Sequence, residues 1–254
     1  MDLKSKGVFV TGAASGLGLA VCRRLAAMGA RVAAIDLDEA KLQAAHGDEA
    51  VCLPCDVADE ESVRRVVDDA ANALGGLHVV VNCAGVIGAA KTVSRSGVFP
   101  ADMWQRIIAV NLTGTFNVVR HAALVMSRNA VSPDGERGVI VNTASGAAWQ
   151  GQMGQAAYSA SKAGVIGMTL PVARDLAGFG IRVMAIAPGL FETGMSAGMP
   201  AHVSQGLIDN TMLFPNRMGE PDEFARLVQQ IVENPYLNAT TISLDGGARV
   251  GNRM

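Results

Sequence analysis

The sequence predicts an α/β fold: a single domain with a doubly wound sheet of seven mainly parallel strands and helices on both faces. Three observations support this prediction. The 254 residues suit one large domain, and 50% of them are hydrophobic. Short β-branched runs alternate with longer helical stretches along the chain. Most of these runs are continuously apolar, which is typical of parallel strands covered by helices on both faces.

Seven runs have the composition of buried strands, and they cover residues 7–11, 31–36, 50–54, 77–82, 138–143, 181–187 and 240–244. The helical candidates between them lie near residues 16–28, 38–45, 59–74, 102–130, 156–177 and 221–233. Neither an internal repeat nor a low-complexity linker divides the chain, and residues 127–138 have the Gly, Ser and Pro content of a surface loop. We therefore predict one domain over residues 1–254.

Composition and charge argue against several functional classes. The formal net charge is −2 and aromatic residues make up 4%, so we expect neither a nucleic-acid-binding surface nor a base-stacking platform. The most apolar stretch, residues 77–90, is too short to span a bilayer. The N-terminal residues have neither the apolar core of a signal peptide nor an Arg-rich transit helix, so the predicted location is cytoplasmic.

The cysteines and histidines do not have the spacing of a metal site. Cys52 and Cys55 form a C-x-x-C, but no second Cys or His pair has the spacing that zinc requires. The pair lies in a predicted buried strand, whereas a redox pair would open a helix. We therefore expect Cys52 and Cys55 to be structural and propose no metal ligand.

The first predicted strand runs directly into a glycine-rich turn and then a helix. The turn has the sequence TGAASGLG, with glycines at positions 12, 16 and 18. Glycines allow the chain to turn sharply and to approach a pyrophosphate, and the helix N-terminus offers free N–H groups. The spacing is G-x-x-x-G-x-G instead of the commoner G-x-G-x-x-G. Its place in a βαβ unit nevertheless predicts a Rossmann-type dinucleotide site.

The second strand ends at Asp36, where a carboxylate can accept hydrogen bonds from both hydroxyls of an adenosine ribose. The same carboxylate would repel the 2′-phosphate of NADP, and the neighbouring Leu37 adds no positive charge. We therefore predict NAD as the cofactor. The alternative role for Asp36 is to cap the following helix.

Two further strand ends reach the same edge of the predicted sheet. Asp56 and Val57 follow the third strand, where the carboxylate could accept a hydrogen bond from the adenine amine. The fourth strand ends in a four-residue motif: Asn82, Cys83, Ala84 and Gly85. A glycine there permits close approach of a cofactor. Each of these two strand ends, taken alone, would also suit an ordinary turn.

Ser145, Tyr158 and Lys162 are the candidate catalytic residues. Ser145 follows the fifth strand, while Tyr158 and Lys162 are four residues apart and share one face of a predicted helix. The pKa of a tyrosine must fall from near 10 to about 7 before it can act as a base near neutral pH, and a nearby ammonium and a nicotinamide cation could cause this change. Lys162 could also hold a ribose hydroxyl, and Ser145 could polarise the substrate oxygen.

With these motifs the sequence resembles the short-chain dehydrogenase/reductase family over nearly its whole length. TGAASGLG and NCAG match the family's cofactor motifs. The resemblance implies that Tyr158 is the acid/base, that Lys162 lowers its pKa, and that Asn111 positions a water in a proton relay. Without the resemblance, a helix-end hydrogen bond would be the simpler role for Asn111. The implied cofactor contacts also include Ser15, Leu17, Pro188, Gly189, Phe191 and Thr193.

The C-terminal half resembles the branch of this family that oxidises 3-hydroxyacyl-CoA, chiefly through GQAAYSASKAGVIGMTLPVARDL and GIRVMAIAPGLF. This resemblance implies an NAD-dependent oxidoreductase that interconverts a 3-hydroxyacyl-CoA and the 3-ketoacyl-CoA, assembled as a homotetramer. It also implies that Gln155 lines the substrate pocket, where the alternative is a solvated helix start. A hydroxysteroid or another secondary alcohol is the alternative substrate, and a non-catalytic NAD-binding scaffold is the alternative function.

The sequence allows two alternative roles for each of two loops. Residues 88–104 could meet the CoA moiety through Lys91 or Arg95, or could be solvated. Residues 191–200 are rich in Gly and Met, which predicts a substrate-covering loop near 191–210, with an ordinary surface loop as the alternative.

Overall fold

A seven-stranded parallel sheet organises the computed structural model of this chain, which describes residues 1–194 and 201–249. The strands in chain order are β1 (Gly7–Thr11), β2 (Arg31–Asp36), β3 (Val51–Pro54), β4 (Val79–Asn82), β5 (Val93–Ser94), β6 (Gly97–Val98), β7 (Gly138–Thr143), β8 (Ile181–Pro188) and β9 (Thr241–Leu244). The sheet has the order β3-β2-β1-β4-β7-β8-β9, and β5 and β6 form a separate antiparallel hairpin. The predicted fold class is confirmed.

The helices are α1 (Gly16–Ala27), α2 (Glu39–His46), α3 (Glu60–Leu74), α4 (Ala101–Ile108), α5 (Thr115–Met126), α6 (Ala147–Gln150), α7 (Ala156–Ala177), α8 (Ala201–Thr211) and α9 (Pro221–Glu233). The predicted helix over 102–130 is in fact α4 and α5 joined by a π-helical turn, Ala109–Gly114. Helices α6 and α8 and the β5–β6 hairpin were not predicted, because each is short or lies in a stretch rich in Gly and polar residues.

The core has one layer on each face of the sheet, because successive strand side chains point in opposite directions. In β1, Val8 and Val10 pack with side chains of α1 and α9, whereas Phe9 packs with those of α3 and α5. Strands β4, β7 and β8 are buried throughout, as their continuous apolar runs predict, while the edge strands β3 and β9 are partly exposed. The carboxyl ends of the strands are therefore held on a rigid base.

The order in which strands are added to the sheet reverses between β1 and β4. Strands β2 and β3 lie on one side of β1, and the later strands lie on the other side. In open parallel sheets, ligands bind in the crevice outside the carboxyl ends of the strands at such a reversal. Both predicted cofactor motifs, the glycine-rich turn and the NCAG segment, leave the sheet at this point.

The described part of the chain contains no helix with the length and apolarity needed to cross a membrane. Within the same residues, no group of three or more His, Cys, Asp or Glu side chains could hold a metal ion. Cys52 and Cys55 are free thiols, and Cys55 Sγ accepts a hydrogen bond from Ser62 Oγ.

Candidate active site

A cavity of about 740 Å³ opens at the carboxyl ends of the strands. It gathers most of the residues that the sequence marks as functional: Gly12, Ser15, Gly16, Leu17, Gly18, Asp36, Asp56, Val57, Cys83, Ala84, Gly85, Ser145, Gln155, Tyr158, Lys162, Pro188, Gly189, Phe191 and Thr193. Because all these strands run in parallel, residues far apart in the chain meet at one edge. Asn82 and Asn111 are the predicted site residues that lie outside the cavity wall.

The glycine-rich turn is packed so tightly that its glycines cannot carry a side chain. Gly12 has a φ of +66°, and a Cβ on it would lie 2.8 Å from the Ala84 backbone nitrogen. A Cβ on Gly18 would overlap the carbonyl oxygen of Gly12. Ser15 precedes α1 without a side-chain capping bond, and the first turn of α1 has no acidic residue. The exposed N–H groups of this turn therefore fit an anionic group such as a pyrophosphate.

Asp36 braces the glycine-rich turn and does not cap α2. Its Oδ2 accepts a hydrogen bond from the Ala14 backbone N–H over 3.1 Å. The N-cap of α2 is Asp38, whose side chain accepts from the Lys41 N–H over 3.1 Å. The capping alternative for Asp36 is thus wrong, and its carboxylate lies at the cavity wall with room for further acceptor bonds.

Asp56, Val57 and Cys83 continue the cavity wall beyond Asp36. Asp56 is exposed, and its Oδ1 accepts from the Ala58 N–H over 2.9 Å. Cys83 Sγ accepts a hydrogen bond from Thr143 Oγ1, and burial raises the pKa of the Cys83 thiol to about 11. A thiol with that pKa stays neutral near pH 7, so Cys83 contributes wall surface and no nucleophile.

Asn82 does not reach the cavity, in contrast to its predicted cofactor contact. Its side chain is 3% exposed, and its Nδ2 donates to Asn142 Oδ1 on the neighbouring strand over 2.9 Å. It is the last residue of β4, and its side chain points into the layer of α5 and α7 because strand side chains alternate. Asn82 therefore ties β4 to β7 beneath the site.

Asn111 is also buried behind the cavity wall, in the π-helical turn. Its Oδ1 accepts from the Val86 N–H over 2.8 Å, and its Nδ2 donates to the Val86 carbonyl over 2.9 Å and to Ser161 Oγ over 3.1 Å. The side chain thus joins the segment after β4 to α7, one residue from Lys162. It acts as a positioning residue, and its part in a proton relay stays a prediction.

Ser145, Tyr158 and Lys162 meet at the centre of the cavity. The Tyr158 hydroxyl is hydrogen-bonded to the Ser145 side chain, and the Ser145 Oγ also accepts from the Ala147 N–H over 3.1 Å. The Lys162 Nζ lies 5.8 Å from the centre of the Tyr158 ring and donates to the Thr143 carbonyl over 2.8 Å. The four-residue spacing on α7 therefore brings the phenol and the amine to the same wall.

Burial shifts the pKa of both Tyr158 and Lys162. Burial raises the pKa of Tyr158, and the hydrogen bond with Ser145 only partly offsets this effect. Burial also lowers the pKa of Lys162 to about 8. The Lys162 amine is directed at the Thr143 carbonyl, and its lowering of the Tyr158 pKa stays a prediction. A phenolate at Tyr158 requires nearby positive charge.

The segment after β8 closes one side of the cavity. Phe191 packs edge-on against Phe224, and Thr193 lies against Gly16 of the cofactor turn. Residues 195–200 of the predicted substrate-covering loop lie outside the described part of the chain. Residues 201–211 of that region form helix α8, and Thr211 at its end lines the cavity.

Several cavity residues were missed by the sequence analysis: Arg106, Gln150, Gln152, Thr211, Asp245 and Ala248. Gln150 ends the four-residue helix α6, and its Nε2 donates to the Ala248 carbonyl over 2.9 Å. Ala248 follows the last strand. A helix of one turn has no measurable periodicity, and a contact between such distant residues leaves no local pattern, so neither residue could be recognised.

The chain matches the family model described as short chain dehydrogenase over residues 6–203. It is 48% identical to 3-hydroxyacyl-CoA dehydrogenase type-2 of Drosophila melanogaster, over 98% of this chain and 99% of that protein. It is also 48% identical to the Homo sapiens protein of the same name, over 98% and 97% of the two chains. A crystal structure of 3-hydroxyacyl-CoA dehydrogenase type-2 from Mycobacterium avium superimposes with a TM-score of 0.92 at 39% identity, covering 98% of both chains.

Proposed function

Because this chain belongs to the short-chain dehydrogenase family, we propose that it is an NAD-dependent oxidoreductase that interconverts 3-hydroxyacyl-CoA and 3-ketoacyl-CoA. The observation that carries the proposal is the meeting of Ser145, Tyr158 and Lys162 in the cavity that also contains the glycine-rich turn and Asp36. The names of the two 48% identical relatives support the choice of acyl-CoA as the substrate class.

The cavity residues fit a nicotinamide dinucleotide. The glycine-rich turn and the N-terminus of α1 would hold the pyrophosphate. Asp36 would accept hydrogen bonds from the hydroxyls of the adenosine ribose. Leu37, beside Asp36, is 70% exposed and uncharged, which favours NAD over NADP. Thr193 would hold the nicotinamide carboxamide, and Lys162 would hold the nicotinamide ribose.

Ser145 and Tyr158 would act on the oxygen atom and the proton of the substrate hydroxyl. Ser145 would hold the substrate oxygen by a hydrogen bond, beside the Tyr158 hydroxyl. When bound, NAD would accept the hydride and bring positive charge into the cavity. Tyr158, with its pKa lowered by that charge, would take the proton of the substrate hydroxyl during oxidation and return it during reduction. Lys162 stays fixed on this wall by the Thr143 carbonyl.

The substrate class is tested by following the loss of NADH absorbance with acetoacetyl-CoA and with a steroid ketone. We expect turnover of acetoacetyl-CoA with a kcat/KM well above that of the steroid. Preference for the steroid would support the alternative secondary-alcohol substrate. Binding of NADH without turnover of any ketone would favour the scaffold alternative, against which the assembled catalytic residues argue.

We expect the double variant Asp36→Ala, Leu37→Arg to change the cofactor preference from NAD towards NADP. The substitution removes the repulsive carboxylate and places a cation where the 2′-phosphate would lie. The measurement is the ratio of kcat/KM for NADPH and NADH, which should rise by about 10²-fold, since a new charge-assisted hydrogen bond and the loss of a repulsion are each worth at least tenfold. Leu37→Ala alone is the matched control. An unchanged ratio in the double variant would remove Asp36 from the ribose site.

Two finer aspects complete the proposal. Helix α7 exposes a stripe of small residues, Ala156, Ala160, Ala163 and Gly167, and α5 exposes Phe116 and Leu124. These surfaces support a homotetramer with close helix contacts between subunits, which sedimentation equilibrium would test. Lys91 and Arg95 are exposed on the segment of the β5–β6 hairpin, and their contact with CoA stays a prediction, as does the cytoplasmic location.

A further inference from the structure

The side chain of Gln150 bridges two walls of the cavity. Its Nε2 donates a hydrogen bond to the carbonyl oxygen of Ala248 over 2.9 Å, and both residues line the cavity. Gln150 belongs to α6, which follows Ser145 and its turn, whereas Ala248 belongs to the segment after β9. We call this hydrogen-bonded contact the Gln150–Ala248 bridge.

The bridge lies close to the residue that holds the substrate oxygen. Gly146 follows Ser145, and a Cβ placed on Gly146 would be 3.6 Å from Gln150 Nε2 and 3.9 Å from the Pro188 carbonyl oxygen. The Gly146 N–H itself donates to that same oxygen over 3.1 Å. The carboxamide of Gln150 is therefore within van der Waals reach of the cavity wall beside Ser145.

The Ala248 end of the bridge is firmly held. Ala248 is 6% exposed, and its N–H donates to the Asp245 carbonyl over 3.0 Å. The next residue, Arg249, donates its N–H to the Thr211 carbonyl at the end of α8 over 2.8 Å. The segment is thus fixed to the strand end on one side and to α8 on the other. A substituent that needed the space would have to break the hydrogen bond of the bridge.

We propose that Gln150 is a specificity-determining residue whose bridge to Ala248 limits the length and bulk of the group attached to the reacting carbon. For acyl-CoA substrates, this inference rests on the proposed function. With such substrates, Gln150 favours short 3-ketoacyl chains over longer ones. Gly146 contributes by leaving the adjacent space open, so a side chain at this position should narrow the passage further.

The test compares acetoacetyl-CoA with 3-oxooctanoyl-CoA in the wild-type protein and in Gln150→Ala. We expect the ratio of kcat/KM for the longer to the shorter substrate to rise about tenfold, because a hydrophobic pocket discriminates by about tenfold or more for each methylene it gains or loses. Gly146→Ala should lower the same ratio, since the added methyl group fills the space beside the carboxamide. Gln152→Ala is the matched control, since it removes a carboxamide from another part of the same cavity wall.

A purely structural role for Gln150 would lower the rates of both substrates together with the melting temperature, leave the ratio unchanged, and so overturn the proposal. An equal ratio in Gln150→Ala and Gln152→Ala would do the same.

The pair 2-butanone and 2-octanone, without CoA, separates this inference from the proposed function. Activity on these ketones but on neither CoA ester contradicts the acyl-CoA assignment, while their ratio still tests Gln150. In a protein without turnover, quenching of bound NADH fluorescence gives the corresponding ratio of dissociation constants.

Discussion

Tyr158→Phe should lower kcat by about 10³-fold and leave the dissociation constant of NADH nearly unchanged. The substitution removes the hydroxyl that interacts with the Ser145 side chain and keeps the half-buried ring near Lys162. Proton transfer to the substrate oxygen is then lost, whereas the contacts of the glycine-rich turn and Asp36 with the dinucleotide remain. Steady-state turnover and NADH fluorescence titration measure the two effects separately.

The chain supplies a matched control for this variant. It contains two tyrosines, and the second, Tyr236, is 97% exposed. Tyr236→Phe should retain wild-type turnover, because its hydroxyl lies in solvent. If Tyr158→Phe kept more than about a tenth of the wild-type kcat, a loss far below the usual contribution of a general acid or base, another group would be the proton carrier.

The fold could be predicted because burial on both faces gives parallel strands a simple signature. The runs that became β1, β4, β7 and β8 are apolar at nearly every position, and each is buried as expected. The exception lies in residues 102–130, where the composition remains helical although the backbone widens into a π turn around Asn111. Gly114 at the end of that turn packs closely against the segment after β3, since a Cβ on it would lie 3.0 Å from the Val57 carbonyl oxygen.

The site was predictable where function depends on residue type and on position at a strand end. Gly12, Asp36 and Ser145 each lie at or just after the end of a strand of a parallel sheet, so the topology alone brings them together. Asn82 shows the limit of this reasoning. It also ends a strand, but the alternation of side chains directs it beneath the cavity, and a shift of one residue in the strand end decides the outcome.

The lowered pKa of Lys162 could not be predicted, because it depends on burial that the motif does not encode. The spacing of Tyr158 and Lys162 fixes their shared helix face. It does not fix the environment of the amine: Lys162 is 5% exposed, and its Nζ donates to the Thr143 carbonyl. A buried ammonium with little compensation destabilises the folded chain, and such destabilisation is common at functional sites.

Lys162→Met should therefore stabilise the protein at pH 7 while lowering kcat by at least about 10²-fold. Burial lowers the pKa of Lys162 from the ordinary value of 10.5 to about 8. This difference corresponds to about 3 kcal/mol of destabilisation by the buried ammonium. The lost hydrogen bond to the Thr143 carbonyl offsets about 1 kcal/mol of the gain. We expect a net increase of about 2 kcal/mol in the free energy of unfolding, measured with urea.

The pH dependence gives this effect a distinctive sign. Below pH 8 the lysine is protonated in both the folded and the unfolded chain, so the cost of burying the charge is fully present. Between pH 8 and 10.5 the folded protein has released this proton while the unfolded chain keeps it, so the stability contributed by this site rises with pH. The stability advantage of Lys162→Met over the wild type should accordingly shrink across this range, while the exposed control Lys91→Met should show no such trend. A variant less stable than the wild type at pH 7 would mean that the ammonium is compensated within the fold and that burial does not lower the pKa of Lys162 to this extent.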